Sequence, residues 1–321
     1  MKKIGIVILN YQTWELSIRC MESIYKTCGK LSCQVYLVDN ASTRPMPDAF
    51  RRYIFTEEEG RKIQFLQAKR NRGYAAGNNI GLKKALEDGC SVIIVSNNDI
   101  IFREQAVQKM ADCLEAHPRI GIAAPKVVDA GNHVQPSYCL RRTGIKEIFQ
   151  FYTAAKWFFR KRQDYYCLGK NPGLSMDVYH VSGCCFALSR ECAQKVVPLD
   201  EETVLYYEEL ILGIRMERAG YRTRYEPGSV VVHQHGATAR LARPFMYQCI
   251  SQSELYYCAR YLHARKWQLY LLYRYRRLLY FLRSLTDRKM RSYQKTFRKQ
   301  TKLFYQEYTR QNAAWKSCKT I

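Results

Sequence analysis

The chain lacks any apolar run approaching the ~18 consecutive residues of a membrane-crossing helix, which predicts a soluble or peripheral protein. It also lacks a C-x-x-C pair and any histidine spaced like a zinc-ribbon ligand, so a structural zinc module is not expected. No G-x-G-x-x-G turn follows the first apolar run, which argues against a nicotinamide dinucleotide site. No internal repeat or low-complexity tract is present. Acidic residues are scarce: 28 Asp and Glu stand against 52 Lys and Arg, giving a net charge of +24 at pH 7. That excess favours partners carrying phosphate, namely nucleic acid, an anionic membrane surface, or a nucleotide or lipid diphosphate.

Thirteen cysteines are scattered through 321 residues, with one adjacent pair at Cys184-Cys185. An odd, unpatterned set reads as free thiols in a reducing compartment. Lys2-Lys3 followed by the apolar residues 4–9 superficially resembles a signal peptide, but the run is too short and has no small-residue cleavage site. It reads as a buried first strand. The length suits one large α/β domain with an appendage, or two ordinary domains.

Short apolar runs alternate with helical patterns over the first hundred residues. Strands are expected over 4–9, 33–38, 63–67 and 92–95, and helices over 14–26 and 75–87. Runs of β-branched residues between amphipathic stretches signal a mostly parallel sheet covered on both faces, which is an α/β fold. A helix over 103–116 and a strand over 120–124 follow. Residues 126–176 are irregular and read as long loops. Regularity resumes with a strand over 181–188, helices over 190–196 and 208–219, and a strand over 229–232. Beyond Pro244 the chain reads as helical to its end. This last part holds the charge: 17 Lys and Arg against Glu254, Asp287 and Glu307 from Ser251 onward. Leu271, Tyr275, Leu278, Leu282 and Leu285 repeat at 4-3-4-3 spacing on one stripe, while Arg276, Arg277 and Arg283 point away. The stripe fits a helix packed on the preceding domain with a solvated basic face, or a helix lying on an anionic membrane surface.

Polar residues cluster where the strands end. Asn10-Tyr11 closes the first, Asp39-Asn40-Ala41-Ser42 the second, and Asn97-Asn98-Asp99 the run 92–95. Strand ends are where open α/β sheets bind ligands, and one carboxylate with flanking amides suits a hard divalent cation that leaves positions for phosphate oxygens. Turns and helix caps use the same residues. The segment from Asn71 to Gly81 opens a helix with Gly73, Gly77 and Gly81 four apart, fitting a close approach to a ligand or to a neighbouring strand. Asn71, Asn78 and Asn79 are poor helix-interior choices, which favours a helix start facing a polar ligand.

Together these blocks resemble the family-two inverting glycosyltransferases. The resemblance continues through Gly183 to Arg190, Leu199-Asp200-Glu201, Leu205-Tyr206-Tyr207-Glu208-Glu209, Arg215, Ala219-Gly220-Tyr221, Pro227, His233, Gly236 and Thr238. It covers about residues 4–240 and is nearest the rhamnosyltransferase branch of bacterial surface-polysaccharide enzymes. It implies a GT-A fold over 1–244, with 245–321 as a basic, tyrosine-rich helical extension. It also implies a nucleotide-sugar donor, UDP- or dTDP-linked, and a glycan or lipid-linked glycan acceptor. By position, Asp39 contacts the base; Asn10, Tyr11, Asn71, Gly73, Asn78 and Asn98 line the nucleotide pocket. Asp99 binds Mg2+ or Mn2+ through the donor diphosphate, His233 completes that metal site, and Glu209 is the general base. The three acids Asp39, Asp99 and Glu209 are expected around one cleft.

Two departures from the family pattern bear on function: Glu209 replaces the usual Asp, and Ile211 stands where a second acid is common, leaving Glu208 to share that role. They motivate an alternative, a noncatalytic glycosyltransferase-like partner subunit. A nucleic-acid binder rests on charge alone, without a recognised module. The expected setting is cytoplasmic and peripheral at the inner face of the membrane, held against its anionic surface by the C-terminal segment.

Overall fold

A period-two alternation in the first two strands sets the layering. In the computed structural model, β1 (Lys3–Asn10) and β2 (Ser32–Asp39) lie parallel in the sheet interior. Ile4, Ile6 and Ile8 of β1, with Val35 and Leu37 of β2, join one core with α1 (Trp14–Thr27), α2 (Asp48–Phe55) and α4 (Ala106–Ala116). Val7, Tyr36 and Val38 fall on the other face, in a core with α3 (Tyr74–Glu87) and α6 (Arg190–Val196). Successive side chains of a strand point to opposite faces, so apolar residues at both parities require helices on both sides. The structure describes residues 3–29, 31–55, 62–159, 171–234 and 243–317. Gly236 and Thr238 lie outside the described residues.

The main sheet also contains β3 (Ile63–Gln67), β4 (Val92–Asn97), β5 (Ile100–Phe102), β6 (Ile120–Val128), β8 (Met176–Val178), β10 (Cys185–Ser189) and β11 (Arg222–His233). The strand order is β3-β2-β1-β4-β10-β6-β11-β5, with β8 paired to β11. The first four strands and the β6–β11 pair are parallel; β10, β5 and β8 run against their neighbours. The sheet is thus mixed but mostly of one direction, as a GT-A fold requires. A separate pair joins β7 (Tyr138–Cys139) to β9 (His180–Val181). The expected strand over 181–188 is therefore two strands with a break at 182–184. β11 begins seven residues earlier than the expected 229, because Pro227 and Gly228 sit in a register shift between Glu226 and Val230. A bulge tolerates proline where a regular ladder does not. The helix α2 was not expected from the sequence.

The chain divides into two units. The first comprises Met1–Arg142, Asp164–Glu201 and Leu212–His235, and holds both sheets. The second comprises Thr143–Gln163, Glu202–Ile211 and Gly236–Ile321. The extension expected from 245 onward belongs to this second unit, together with two segments from earlier in the sequence. It contains α5 (Ile145–Phe151), α8 (Arg243–Arg260), α9 (Lys266–Thr286) and α10 (Arg288–Ser317). Asp287 separates the last two helices and caps the second, its Oδ1 accepting from the Lys289 and Met290 amides at 2.9 and 3.2 Å. Tyr280 stacks on Phe297 with ring centroids 3.8 Å apart, fastening α9 to α10.

The orientation of α9 corrects the expectation that Arg276 points to solvent. Arg276 is buried among Leu269, Leu272, Tyr273 and Tyr280, the residues on the inner side of the helix. Its Nε donates to Glu254 Oε2 at 2.7 Å, and a terminal nitrogen donates to Oε1 at 2.5 Å. An arginine can occupy that side because α8 provides a buried counter-charge. Leu271, Leu278, Leu282 and Leu285 face solvent, and Tyr275 is half-buried.

Candidate active site

Three neighbouring strands deliver the candidate residues to one edge. Asn10 pairs in register with Asp39, and Leu9 with Asn97, so β2, β1 and β4 end side by side. The order reverses at β1, with β2 and β3 on one side and β4 on the other. This is the topological switch point at which such sheets bind ligands.

A hydrogen-bonded lattice joins the loops that leave these strands. Asp39 is buried and accepts from Asn10 Nδ2 at 3.1 Å, from the Ser42 amide at 3.2 Å and from Ser42 Oγ at 2.5 Å. Of about four acceptor positions on a carboxylate, three are thereby taken. Gln12 ties the first loop to the second: its amide donates to Ser42 Oγ at 2.8 Å, and its side chain bonds Thr43 Oγ1 and the Arg44 amide, each at 2.8 Å. Tyr11, beside it, leaves its ring exposed. Asn40 extends the lattice to the β3–α3 loop, donating to Asn71 Oδ1 and to the Gly73 carbonyl, both at 3.1 Å. Gly73 has φ 98°, a region open to glycine, and starts α3.

The helix that follows separates the two explanations for its glycines. A Cβ on Gly77 would stand 2.5 Å from Leu9 Cδ1, and one on Gly81 would stand 2.4 Å from Val7 Cγ1. Both serve the approach of α3 to β1. Asn79 is structural too, exchanging hydrogen bonds with the Leu199 amide at 2.7 Å and its carbonyl at 2.9 Å. Asn78 is buried within α3 and donates to the Tyr74 carbonyl at 3.1 Å.

Asn98 is a brace to α1. Its Nδ2 lies within 3.2 Å of Asn10 Oδ1, the Thr13 carbonyl, Thr13 Oγ1 and Ser17 Oγ. Thr13 and Ser17 carry no motif of their own, and the sequence does not reveal this role. The brace fixes the neighbouring Asp99. The antiparallel pair β11–β5 sets His233 opposite Ile100, and the Gln234 amide donates to the Asp99 carbonyl at 2.9 Å. His233 Nε2 consequently comes within 3.3 Å of Asp99 Oδ2. Asp99 Oδ1 is buried and has no hydrogen-bond partner among the described residues. A buried carboxylate oxygen left in that state is costly unless a cation or water meets it. A carboxylate suits Mn2+ or Mg2+, and the imidazole nitrogen favours Mn2+ over the harder Mg2+, with the remaining positions open to phosphate oxygens and water. No group of three or more His, Cys, Asp or Glu among the described residues could close a metal cage.

A cavity of about 310 Å³ adjoins His233, lined also by Gln135, Ser137, Ser182 and Cys184. A larger one, about 710 Å³, flanks α3 and includes Asn40, Arg70 and Arg72, but neither Asp39 nor Asp99 lines it. Asp99 does not line the smaller cavity either; it adjoins that space through His233, 3.3 Å away. Thiols nearby are inert: burial pushes Cys20 up to about 12 and Cys184 to about 11. The eleven cysteines among the described residues are all free and buried.

Glu209 lies in the second unit, in the first turn of α7 (Glu208–Arg218). The preceding Tyr206 and Tyr207 both have φ 73°, a left-handed conformation that non-glycine residues adopt only when held. Three consecutive residues of α8 hold this segment. Gln252 reaches the Glu202 carbonyl at 3.5 Å, Ser253 Oγ donates to the Leu205 carbonyl at 3.0 Å, and Glu254 Oε1 accepts from Tyr207 Oη at 2.9 Å. Glu209 is half-buried, and burial raises its carboxyl above the ordinary 4.5, opposed by its own backbone amide. Ile211 is buried.

Residues 5–196 match the sequence profile of glycosyl transferase family 2. The chain belongs to that family. Over 213 residues it is 26% identical to N-acetylglucosaminyl-diphospho-decaprenol L-rhamnosyltransferase of Mycobacterium tuberculosis, covering 62% of this chain and 66% of that one. It is 24% identical over 136 residues to dTDP-rhamnosyl transferase RfbF of Shigella flexneri, covering 42% and 43%. The family 2 chain thus spans just under two thirds of the first relative and less than half of the second. Among solved structures, the mannosyltransferase PcManGT from Pyrobaculum calidifontis, in complex with GDP-Man and Mn2+, superposes with a TM-score of 0.51 at 15% identity. That match covers 97% of this chain and 86% of that one. GalNAc-T7 with UDP, GalNAc and Mn2+ gives 0.55 at 15% identity, covering 73% and 44%. At these identities the likeness shows the shared GT-A fold.

Proposed function

We propose that this glycosyltransferase is inverting and metal-dependent. It moves a sugar from a UDP- or dTDP-sugar to a hydroxyl of a glycan or lipid-linked glycan in bacterial surface-polysaccharide synthesis. It works in the cytoplasm, at the inner face of the membrane. The observation that carries the reading is Asp99, whose buried Oδ1 has no hydrogen-bond partner among the described residues while Oδ2 lies 3.3 Å from His233 Nε2. Relatives that transfer rhamnose support the donor class.

Asp99 and His233 would hold the divalent cation. When bound, it neutralises the charge that develops on the departing diphosphate. Asp39 and Asn10, with Asn71 and Gly73, form the floor against which the base is held, and the exposed Tyr11 ring offers a stacking surface. Glu209 accepts the proton of the acceptor hydroxyl as that oxygen forms its bond to the anomeric carbon. The bond from that carbon to the phosphate oxygen breaks on the opposite face, so configuration inverts. A base with a raised pKa is better matched to a hydroxyl proton than an ordinary carboxylate, and it is active in its deprotonated form.

Nucleoside diphosphate release by the purified protein with Mn2+, for wild type and Glu209→Gln, tests this reading. The expected loss is about 10²–10⁴-fold, with the acidic limb of the wild-type pH profile above 4.5. Equal inactivity of both proteins would favour the noncatalytic partner subunit.

A further inference from the structure

The helix α9 has two apolar faces, and only one is used. Leu269, Leu272, Tyr273 and Tyr280 are buried on its inner side, where Arg276 is neutralised by Glu254. On the opposite side Trp267, Leu271, Leu278, Phe281, Leu282 and Leu285 are each 47–56% exposed. At 100° per residue these six fall within one arc, and 21 residues at 1.5 Å each extend the face to about 30 Å. Exposed apolar surface this extensive, though interrupted by Arg274, marks an interaction site. The inner face already makes the fold, so the outer one is not needed for it.

Charge identifies the occupant. Of the 17 Lys and Arg from Ser251 onward, Arg276 is paired internally with Glu254, which leaves 16 against Asp287 and Glu307. Arg274 lies within the apolar arc, Lys266 stands at the start of α9, and Arg288, Lys289 and Arg291 follow its end, all exposed. A second copy of this chain would bring like charge against like charge, whereas an anionic lipid surface answers both features at once. We infer that the outer face of α9 is a membrane-docking surface. It inserts its leucines and Trp267 among the acyl chains of an anionic leaflet while the flanking cations meet the headgroups, and Arg274, inside the arc, reaches the headgroups by extending its long side chain. No described helix is long and apolar enough to cross a membrane, so this segment lies in the interface. The inference deepens the membrane setting proposed above and is independent of the transferase chemistry.

Co-sedimentation of the full chain with vesicles tests it, using phosphatidylcholine alone and phosphatidylcholine mixed with phosphatidylglycerol. Wild type should bind the mixed vesicles, and added salt should weaken the binding. The triple variant Leu271→Ser, Leu278→Ser, Leu282→Ser should bind about tenfold or more weakly. The substituted side chains are exposed, so cooperative melting and nucleoside diphosphate release in solution should be unchanged. Release that is absent in both proteins while vesicle binding differs would count against the transferase reading and leave the docking surface standing. Equal vesicle binding by wild type and triple variant overturns the inference. So does a triple variant that turns an oligomer into a monomer without loss of vesicle binding, which would assign the face to a second copy.

Discussion

His180 is the residue whose setting most directly couples this fold to pH. It is buried in β9, its Nε2 has no partner among the described residues, and burial lowers its pKa from 6.5 to about 4. The native state therefore holds the imidazole neutral, and the unfolded chain takes up the proton first as pH falls. The contribution is fully present above pH 6.5 and is lost as pH falls toward 4. Thermal unfolding should show wild type losing up to roughly 3 kcal/mol across that window relative to His180→Leu. Parallel pH dependences would refute this. At the same scale, Asp39, Asp99 and His233 were legible as blocks at strand ends. The roles of Asn98, Gln12 and Ser17 were not, because a brace depends on which loop lies across from it. Gly77 and Gly81 were legible only as a choice between ligand and strand, and Val7 and Leu9 decide it.

Among the elements, α8 and α9 show how far periodicity reaches. The 4-3-4-3 stripe correctly identified a helix and an apolar face, but a helix with apolar residues on two sides does not declare which one packs. The decision rests on Glu254, whose burial draws Arg276 inward and leaves the leucine stripe outside. Removing one member of such a pair strands a buried charge and costs about 3–5 kcal/mol, whereas replacing both by apolar groups is often near neutral. Chemical denaturation should accordingly find Arg276→Leu strongly destabilised, with Glu254→Leu added to it regaining much of the loss. A double variant no more stable than the single one would contradict this account. The short helix α2 escaped the sequence because Pro45 and Pro47 precede it and only Phe50 and Ile54 mark its buried side. The irregular stretch 126–176 hides β7 and α5 for a similar reason, since two- and seven-residue elements carry too little period to read.

For the whole molecule, order along the chain carried more than composition did. A charge of +24 admitted nucleic acid, membranes and nucleotides alike, while the sequence of strand-end blocks pointed to one fold, and the sheet order bears it out. The division into units was less legible, because segments 143–163 and 202–211 join the C-terminal helices through contacts that no local pattern announces. In the proposed site, a cation bound by Asp99 and His233 would in turn hold a nucleoside diphosphate. Calorimetric titration of UDP and dTDP with Mn2+, and after chelation, into wild type and Asp99→Asn measures this directly. One nucleotide should bind wild type only with the metal present, and Asp99→Asn should lose at least about tenfold of that affinity. Binding that ignores the metal, or that survives Asp99→Asn undiminished, would contradict it.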